Sequence, residues 1–207
     1  MILYLIRHGE SQHNVDRDVM AHTHDSKHPL TDLGKKQAEK TAHFMQEEVN
    51  ENTVLYASPY QRTIETAKVI YSRLADTVPF YENPLLREWE LGNLYDFHHD
   101  RPPEVKREFK AAGSFYFRYK NGESFADVYL RASMFLSTIV QPLEQKGSYD
   151  NIVIVTHAAF IHALLGFRLN WPVEKMTGFD PVENGAVIKL YEEDAGYQFK
   201  KIFVPTV

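Results

Sequence analysis

The run Met1-Ile2-Leu3-Tyr4-Leu5-Ile6 is apolar without alternation and stops at Arg7-His8-Gly9. An apolar run of that kind is buried on both faces, the condition of an interior strand in a parallel sheet. Such a sheet needs helices over both of its faces, because its strands can only be joined by long crossovers. Two later runs repeat the pattern: Val54–Ala57 leads into Ser58-Pro59-Tyr60-Gln61-Arg62, and Ile152–Thr156 leads into His157. In open α/β sheets, ligands collect outside the carboxyl ends of parallel strands. A cation with an imidazole, a serine with an arginine, and a second imidazole all fall at strand ends that can converge.

The intervening segments carry helical patterns. Leu33–Val49 reads as a helix with Thr31 or Asp32 at its N-cap. Ser58 suits an N-cap, Pro59 the first helical position and Gln61 a capping box, for a helix running to about Leu74. Val78–Tyr81 reads as a third strand, Ser124 to about Gln145 as a long amphipathic helix, and another helix begins near Ala158. Ala186–Tyr191 and Gln198–Val204 read as strands joined over Glu192–Tyr197, with Asp194 and Gly196 at the turn. This order predicts one α/β domain over 1–207, a three-layer α/β/α sandwich with a mostly parallel central sheet. The stretch at about 83–122 is less regular and reads as an inserted lid segment. Its stripe Phe115, Tyr116, Phe117 and Tyr119 reads as packing in preference to pocket lining.

Composition removes several classes. The formal net charge of −5 argues against a nucleic-acid surface. Without cysteine the chain has no disulfide, thiolate nucleophile or cysteine-bound zinc. No apolar run approaches the roughly 20 residues that span a bilayer. The N-terminal run ends at Arg7 with no basic segment before it, so it reads as a strand and not a signal peptide, and a cytoplasmic setting is expected. His22, His24 and His28, with Asp25 between them, have metal-ligating side chains, as do His98 and His99. Nothing near them announces fixed geometry, and they read as solvated loops with no metal.

Arg7, Arg62, His8 and His157 at helix N-termini would form an anion-attracting pocket, since arginine bonds phosphate oxygens in a planar fork and helix N-termini add oriented N–H groups. The motifs resemble those of the histidine phosphatase superfamily, which includes the phosphoglycerate mutases. Arg7-His8-Gly9-Glu10-Ser11 resembles its nucleophile motif, with Asn14 at the spacing of its phosphate-contacting asparagine. Leu30-Thr31-Asp32-Leu33-Gly34-Lys35-Lys36-Gln37-Ala38, Ser58 to Ala67, Leu86 to Gly92, Gly122-Glu123-Ser124 and Val155-Thr156-His157 resemble the later motifs, in family order. Ala158 departs from the glycine usual there; it keeps the N–H and adds a methyl.

The resemblance implies a phosphoglycerate mutase-like fold and metal-independent hydrolysis of a small phosphomonoester through a phosphohistidine. His8 would be the nucleophile. Arg7, Arg62 and His157 would neutralise the phosphoryl oxygens. Asn14, Ser11 and Ala158 would bind substrate. Glu88 would act as acid and then base, Glu90 being its competitor for that role. No cofactor is implied, except 2,3-bisphosphoglycerate if the chain is instead a mutase. The insert is shorter than in those mutases and lacks an Arg-Arg pair, which favours the phosphatase, although Arg101, Arg118 or Lys120 could meet an acidic substrate group. A non-catalytic phospholigand-binding module is a further alternative, and a metal-binding protein a weaker one. The expected partner is a small phosphorylated substrate, with no nucleic acid or membrane, for a monomer or homodimer.

Overall fold

In the computed structural model, which describes residues 1–92, 102–178 and 180–207, the strands are β1 (Ile2–Arg7), β2 (Thr53–Ala57), β3 (Phe80–Glu82), β4 (Asn151–Thr156), β5 (Val187–Glu193) and β6 (Gly196–Phe203). They form a 6-stranded sheet in the order β3-β2-β4-β1-β5-β6. β1, β2, β3 and β4 are mutually parallel; β5 runs antiparallel to β1 and to β6. The helices are α1 (Gln12–Val15), α2 (Asp32–Glu48), α3 (Gln61–Tyr71), α4 (Pro103–Tyr116), α5 (Phe125–Phe135), α6 (Gln141–Lys146), α7 (Ala158–Arg168) and α8 (Val173–Thr177).

Successive strand residues point to opposite faces of a sheet, and each face here has its own core. Leu3, Leu5, Ile152 and Ile154 pack with Phe125, Val128 and Phe135 of α5 and Phe160, Ile161 and Leu164 of α7. Tyr4, Ile6, Val153 and Val155 pack with Ala42 and Met45 of α2 and Ala67 and Ile70 of α3. Both faces of β1 and β4 are therefore covered, which is why those strands are apolar throughout. The pairing runs in step from Ile2 opposite Asn151 to Arg7 opposite Thr156. His8 and His157 thus leave the sheet side by side, and the His8 N–H still reaches Thr156 O at 3.0 Å.

Several local expectations need correction. Tyr60, not Ser58, is the N-cap of α3, and Pro59 lies before the helix. Ser58 is left outside, free to turn its hydroxyl to His157. The third strand lies at Phe80–Glu82, starting two residues later than expected and ending one later. The long helix runs from Phe125 to Lys146 without a break, but between α5 and α6 its backbone widens into a π turn over Leu136–Val140. Pro142 sits just beyond, and a proline lacks the N–H and crowds the preceding turn, which loosens the ladder there.

The inserted segment is more regular than its composition suggests. It holds α4, interrupted at Gly113, whose φ is 77°. Phe115, Phe117 and Tyr119 are buried and Tyr116 is exposed. Phe115 meets Phe125 and Tyr129, while Tyr119 meets Trp89 and Phe117. The stripe is packing, as the sequence suggested. Arg118 pairs with Asp127 at 2.6 Å. His98, His99 and Arg101 lie outside the described residues, as does the rest of the expected lid over 93–101.

The loop after His8 is fixed by the start of α2. Thr31 caps that helix, its hydroxyl accepting from Gly34 N at 3.0 Å and donating to Glu10 Oε1 at 2.7 Å. The backbones approach so closely that a Cβ on Gly9 would meet Gly34 O, and a Cβ on Gly34 would meet Glu10 O. Overpacking a site that cannot yield costs about 1–3 kcal/mol. Gly34→Ala is expected to lower stability by about that amount in denaturant unfolding; an unchanged midpoint would show that the two backbones separate freely.

Candidate active site

His8 sits just past β1, 1% exposed. Its Nδ1 lies 2.7 Å from Gly9 O. A carbonyl only accepts, so the proton is on Nδ1 and Nε2 keeps its lone pair. Arg62 Nε donates to that Nε2 at 3.2 Å. Burial, with Arg62 and Arg7 nearby, holds the imidazole well below the usual histidine range. Nε2 is therefore a neutral nitrogen presented beside a fixed cation.

Arg62 is fully buried on the first turn of α3. Its Nη1 reaches Asp25 Oδ1 at 3.0 Å and Asp25 O at 2.6 Å, and its Nη2 reaches Asp25 Oδ2 at 2.9 Å. Asp25 thereby takes the end-on fork of the guanidinium and leaves the Nε edge turned to His8. The expected solvated loop is corrected here: Asp25 and His28 are 3% and 1% exposed. The buried Arg62 charge draws that turn inward, because an unpaired buried charge is costly. Glu65, the alternative partner on the same helix, bonds Gln61 and Leu30 N instead.

His157 caps α7 and is fully buried. Its Nε2 lies 2.9 Å from Ser58 Oγ. Its Nδ1 has no hydrogen-bond partner, with Glu88 Oε2 3.8 Å away. Burial, then Arg62 and His8, depress its pKa strongly. Glu88 shifts the other way: burial raises its carboxyl, against a hydrogen bond from Trp89 N and the charges of Arg62 and Arg7. Glu90 faces elsewhere, its Oε1 accepting from Gly92 N at 3.0 Å and its Oε2 lying 3.7 Å from His24. Arg7 gives Nη1 to Val182 O at 2.6 Å, and its buried Nε has no partner.

Arg7, Asn14, Asp25, Glu88, Ala158 and Val182 are among the residues that line a cavity of about 440 Å³, whereas His8, Arg62 and His157 are buried and do not line it. From the insert side, Trp89 and Leu91 reach it. Asn14 Oδ1 accepts from Ser11 N at 3.1 Å. Ser11 is fully buried, with its hydroxyl on His13 and Asn14, and it does not line the cavity. His13 does line it, with its pKa pushed down to about 3 by burial and Arg62. Sequence reading missed both His13 and Asp25. His13 lies within the nucleophile motif but in a position with no distinguishing spacing, and Asp25 sits in a polar stretch whose folding-in depends on Arg62. Among the described residues, no group of three or more His, Cys, Asp or Glu could hold a metal ion. No helix among them is long and apolar enough to cross a membrane.

A model of the histidine phosphatase superfamily (branch 1) matches residues 3–205. The chain is similar to the phosphoglycerate mutase-like protein AT74H of Arabidopsis thaliana, 31% identical over 203 residues, 87% of this chain and 71% of that protein. It is similar to fructose-2,6-bisphosphatase of Saccharomyces cerevisiae, 28% identical over 205 residues, 97% of this chain but 41% of that protein. Among solved structures it is similar to a putative alpha-ribazole-5'-P phosphatase from Escherichia coli, with a TM-score of 0.76 and 26% identity, covering 97% of this chain and 95% of that one.

The shifted groups link stability to pH. The depressed imidazoles of His8, His13 and His157 stay neutral in the folded chain at pH values where unfolded histidines, near 6.5, take up protons. Their contribution is complete above pH 6.5 and is lost as pH falls, for His13 down to about 3. Glu88, raised from 4.5, acts in the opposite sense, stabilising at low pH and losing that contribution as pH rises through its folded value. Three imidazoles thus act in one sense and one carboxyl in the other. The melting midpoint is expected to fall between pH 7 and pH 5, and His13→Asn is expected to flatten that fall; scanning calorimetry across the range measures both.

Proposed function

The chain belongs to branch 1 of the histidine phosphatase superfamily, and on that footing we propose that it hydrolyses a small phosphomonoester, without a metal, through a phosphohistidine on His8. The observation that carries this reading is the fixed tautomer of His8, with Nδ1–H on Gly9 O and the Nε2 lone pair directed at Arg62 Nε. The buried, unpartnered Arg7 Nε and His157 Nδ1 support it, since both can meet incoming phosphoryl oxygens. So do the relatives, among them phosphatases of small phosphorylated metabolites.

In this mechanism His8 Nε2 attacks phosphorus in line, forming the N–P bond as the ester P–O bond breaks. The leaving alkoxide takes its proton from Glu88, whose pKa burial raises above the ordinary carboxylate value. Arg7, Arg62, His157, Asn14 and the Ala158 N–H at the start of α7 hold the transferring group. Water then attacks phosphorus, giving its proton back to Glu88, and the N–P bond breaks to return His8 and inorganic phosphate. The guanidiniums supply the charge neutralisation that a metal supplies in other phosphoryl transfers. Ser11 serves by holding His13 and Asn14 in place. The reading takes 1–207 as one domain working in the cytoplasm, in keeping with a chain that has no cysteine.

Phosphate release from a panel of phosphomonoesters, 3-phosphoglycerate included, is expected with EDTA present and is expected to vanish in His8→Ala. No release from any ester, together with phosphoryl exchange primed by 2,3-bisphosphoglycerate, would make the chain a mutase. Glu88→Gln is expected to lower kcat on alkyl esters about 10²–10⁴-fold. Wild-type activity is expected to persist well below pH 6.5, because His8 stays neutral there, and to decline on the alkaline side as Glu88 ionises. That alkaline limb is expected to be absent in Glu88→Gln.

A further inference from the structure

Glu88 lies on a stretch with no helix or strand of its own, between the 3-10 turn Pro84–Leu86 and Gly92. Something else must hold it. Arg131, on the buried face of α5, commits every N–H of its guanidinium to that task. Nη1 donates to Leu85 O at 2.6 Å and Arg87 O at 3.1 Å, and Nη2 donates to Glu88 O at 3.3 Å and Glu123 Oε2 at 2.8 Å. Nε donates to Glu123 Oε1 at 2.9 Å.

Glu123 closes the node from the other side. Its Oε2 accepts from Glu90 N at 3.2 Å, its own N–H donates to Glu90 O at 2.8 Å, and its carbonyl accepts from Trp89 Nε1 at 2.9 Å. Arg87 adds an ion pair to its Oε1. The residues on either side of Glu88 are thereby fastened to one buried ion pair, 7% and 9% exposed.

We propose that the Arg131–Glu123 pair is the positioning device for the proton donor: it fixes the backbone of residues 85–90 so that the Glu88 carboxyl meets the leaving-group oxygen. The proposal rests on the hydrolase reading above. A buried ion pair is a poor way to gain stability, since apolar residues of the same volume often do as well. What it supplies here is direction, because a planar guanidinium with five fixed donors sets three carbonyls in one geometry. Misplacing a catalytic group by about 1 Å can cost on the order of 10²-fold. Lysine, a point charge with three donors, cannot reproduce the fork.

Leaving-group dependence separates positioning of Glu88 from general support of the fold. An activated ester such as p-nitrophenyl phosphate departs with little help from an acid, whereas an alkyl phosphate needs the proton. Arg131→Lys and Glu123→Gln, each assayed below its own melting midpoint, are expected to lose about 10- to 100-fold in kcat on alkyl phosphates. On p-nitrophenyl phosphate they are expected to lose about threefold or less. In a Glu88→Gln background the Arg131→Lys loss on alkyl esters is expected to disappear, because the group it positions is gone.

Equal losses on both esters, or losses that multiply with Glu88→Gln, would overturn the positioning role. If one variant does not fold, the other carries the test. If neither folds, the pair serves the fold and the proposal falls. A wild type that releases phosphate from no ester overturns the hydrolase reading itself and the positioning role with it, an outcome distinct from a working enzyme whose variants lose evenly.

Discussion

The in-step pairing of β1 with β4 is the constraint on which the site depends. Because Arg7 lies opposite Thr156, the next residue of each strand is a histidine, and the rings stand 5.2 Å apart. A slip of one residue would send every side chain of β1 to the other face of the sheet. Both faces are apolar-packed, so the slip would leave the burial of Leu3, Tyr4, Leu5 and Ile6 superficially intact while carrying His8 away from His157. What forbids it is shape: the face of α5 and α7 is filled by phenylalanines, and that of α2 and α3 by Ala42, Met45, Ala67 and Ile70. The core therefore sets the chemistry's register as well as the fold's stability.

The second dependence is electrostatic. Taking two arginines, three imidazoles and two carboxyls out of water is tolerable only because most remain neutral or meet a partner. The imidazoles lose their affinity for protons, Glu88 gains affinity for one, and Arg62 finds Asp25. The same burial that disfavours charge lowers the proton affinity of the His8 imidazole and raises that of the Glu88 carboxyl, so that environment moves two neighbouring groups in opposite directions.

Much of this was legible in the residues. The unalternating strands pointed to the interior of a parallel sheet, and the polar residues at their ends marked the candidate site, because both follow from local periodicity and the direction of the chain. Glu88 could be ranked above Glu90 by spacing to Gly92; in the fold Glu88 lies 3.8 Å from His157, while Glu90 turns to Gly92 N and His24. Asp25 was not legible: its burial is a response to Arg62, which lies 37 residues away. The role of Arg131 was hidden for a similar reason, since within its helix it is only one more charged residue until the carbonyls of another segment come to meet it. The start of α3 was misplaced because Ser58 has two possible uses, a helix cap or a bond to His157, and only tertiary structure decides between them.

The fork of Arg62 that Asp25 occupies bears on what happens after the reaction. With its outer edge already paired, Arg62 offers a phosphate ion only the edge turned to His8. Asp25 offsets one of the two guanidinium charges, so an inorganic phosphate ion meets less positive charge than two bare arginines would present. A site of bare guanidiniums would grip that product and slow its own turnover. Here the folded chain carries an anion of its own in the place where a departing one would otherwise linger.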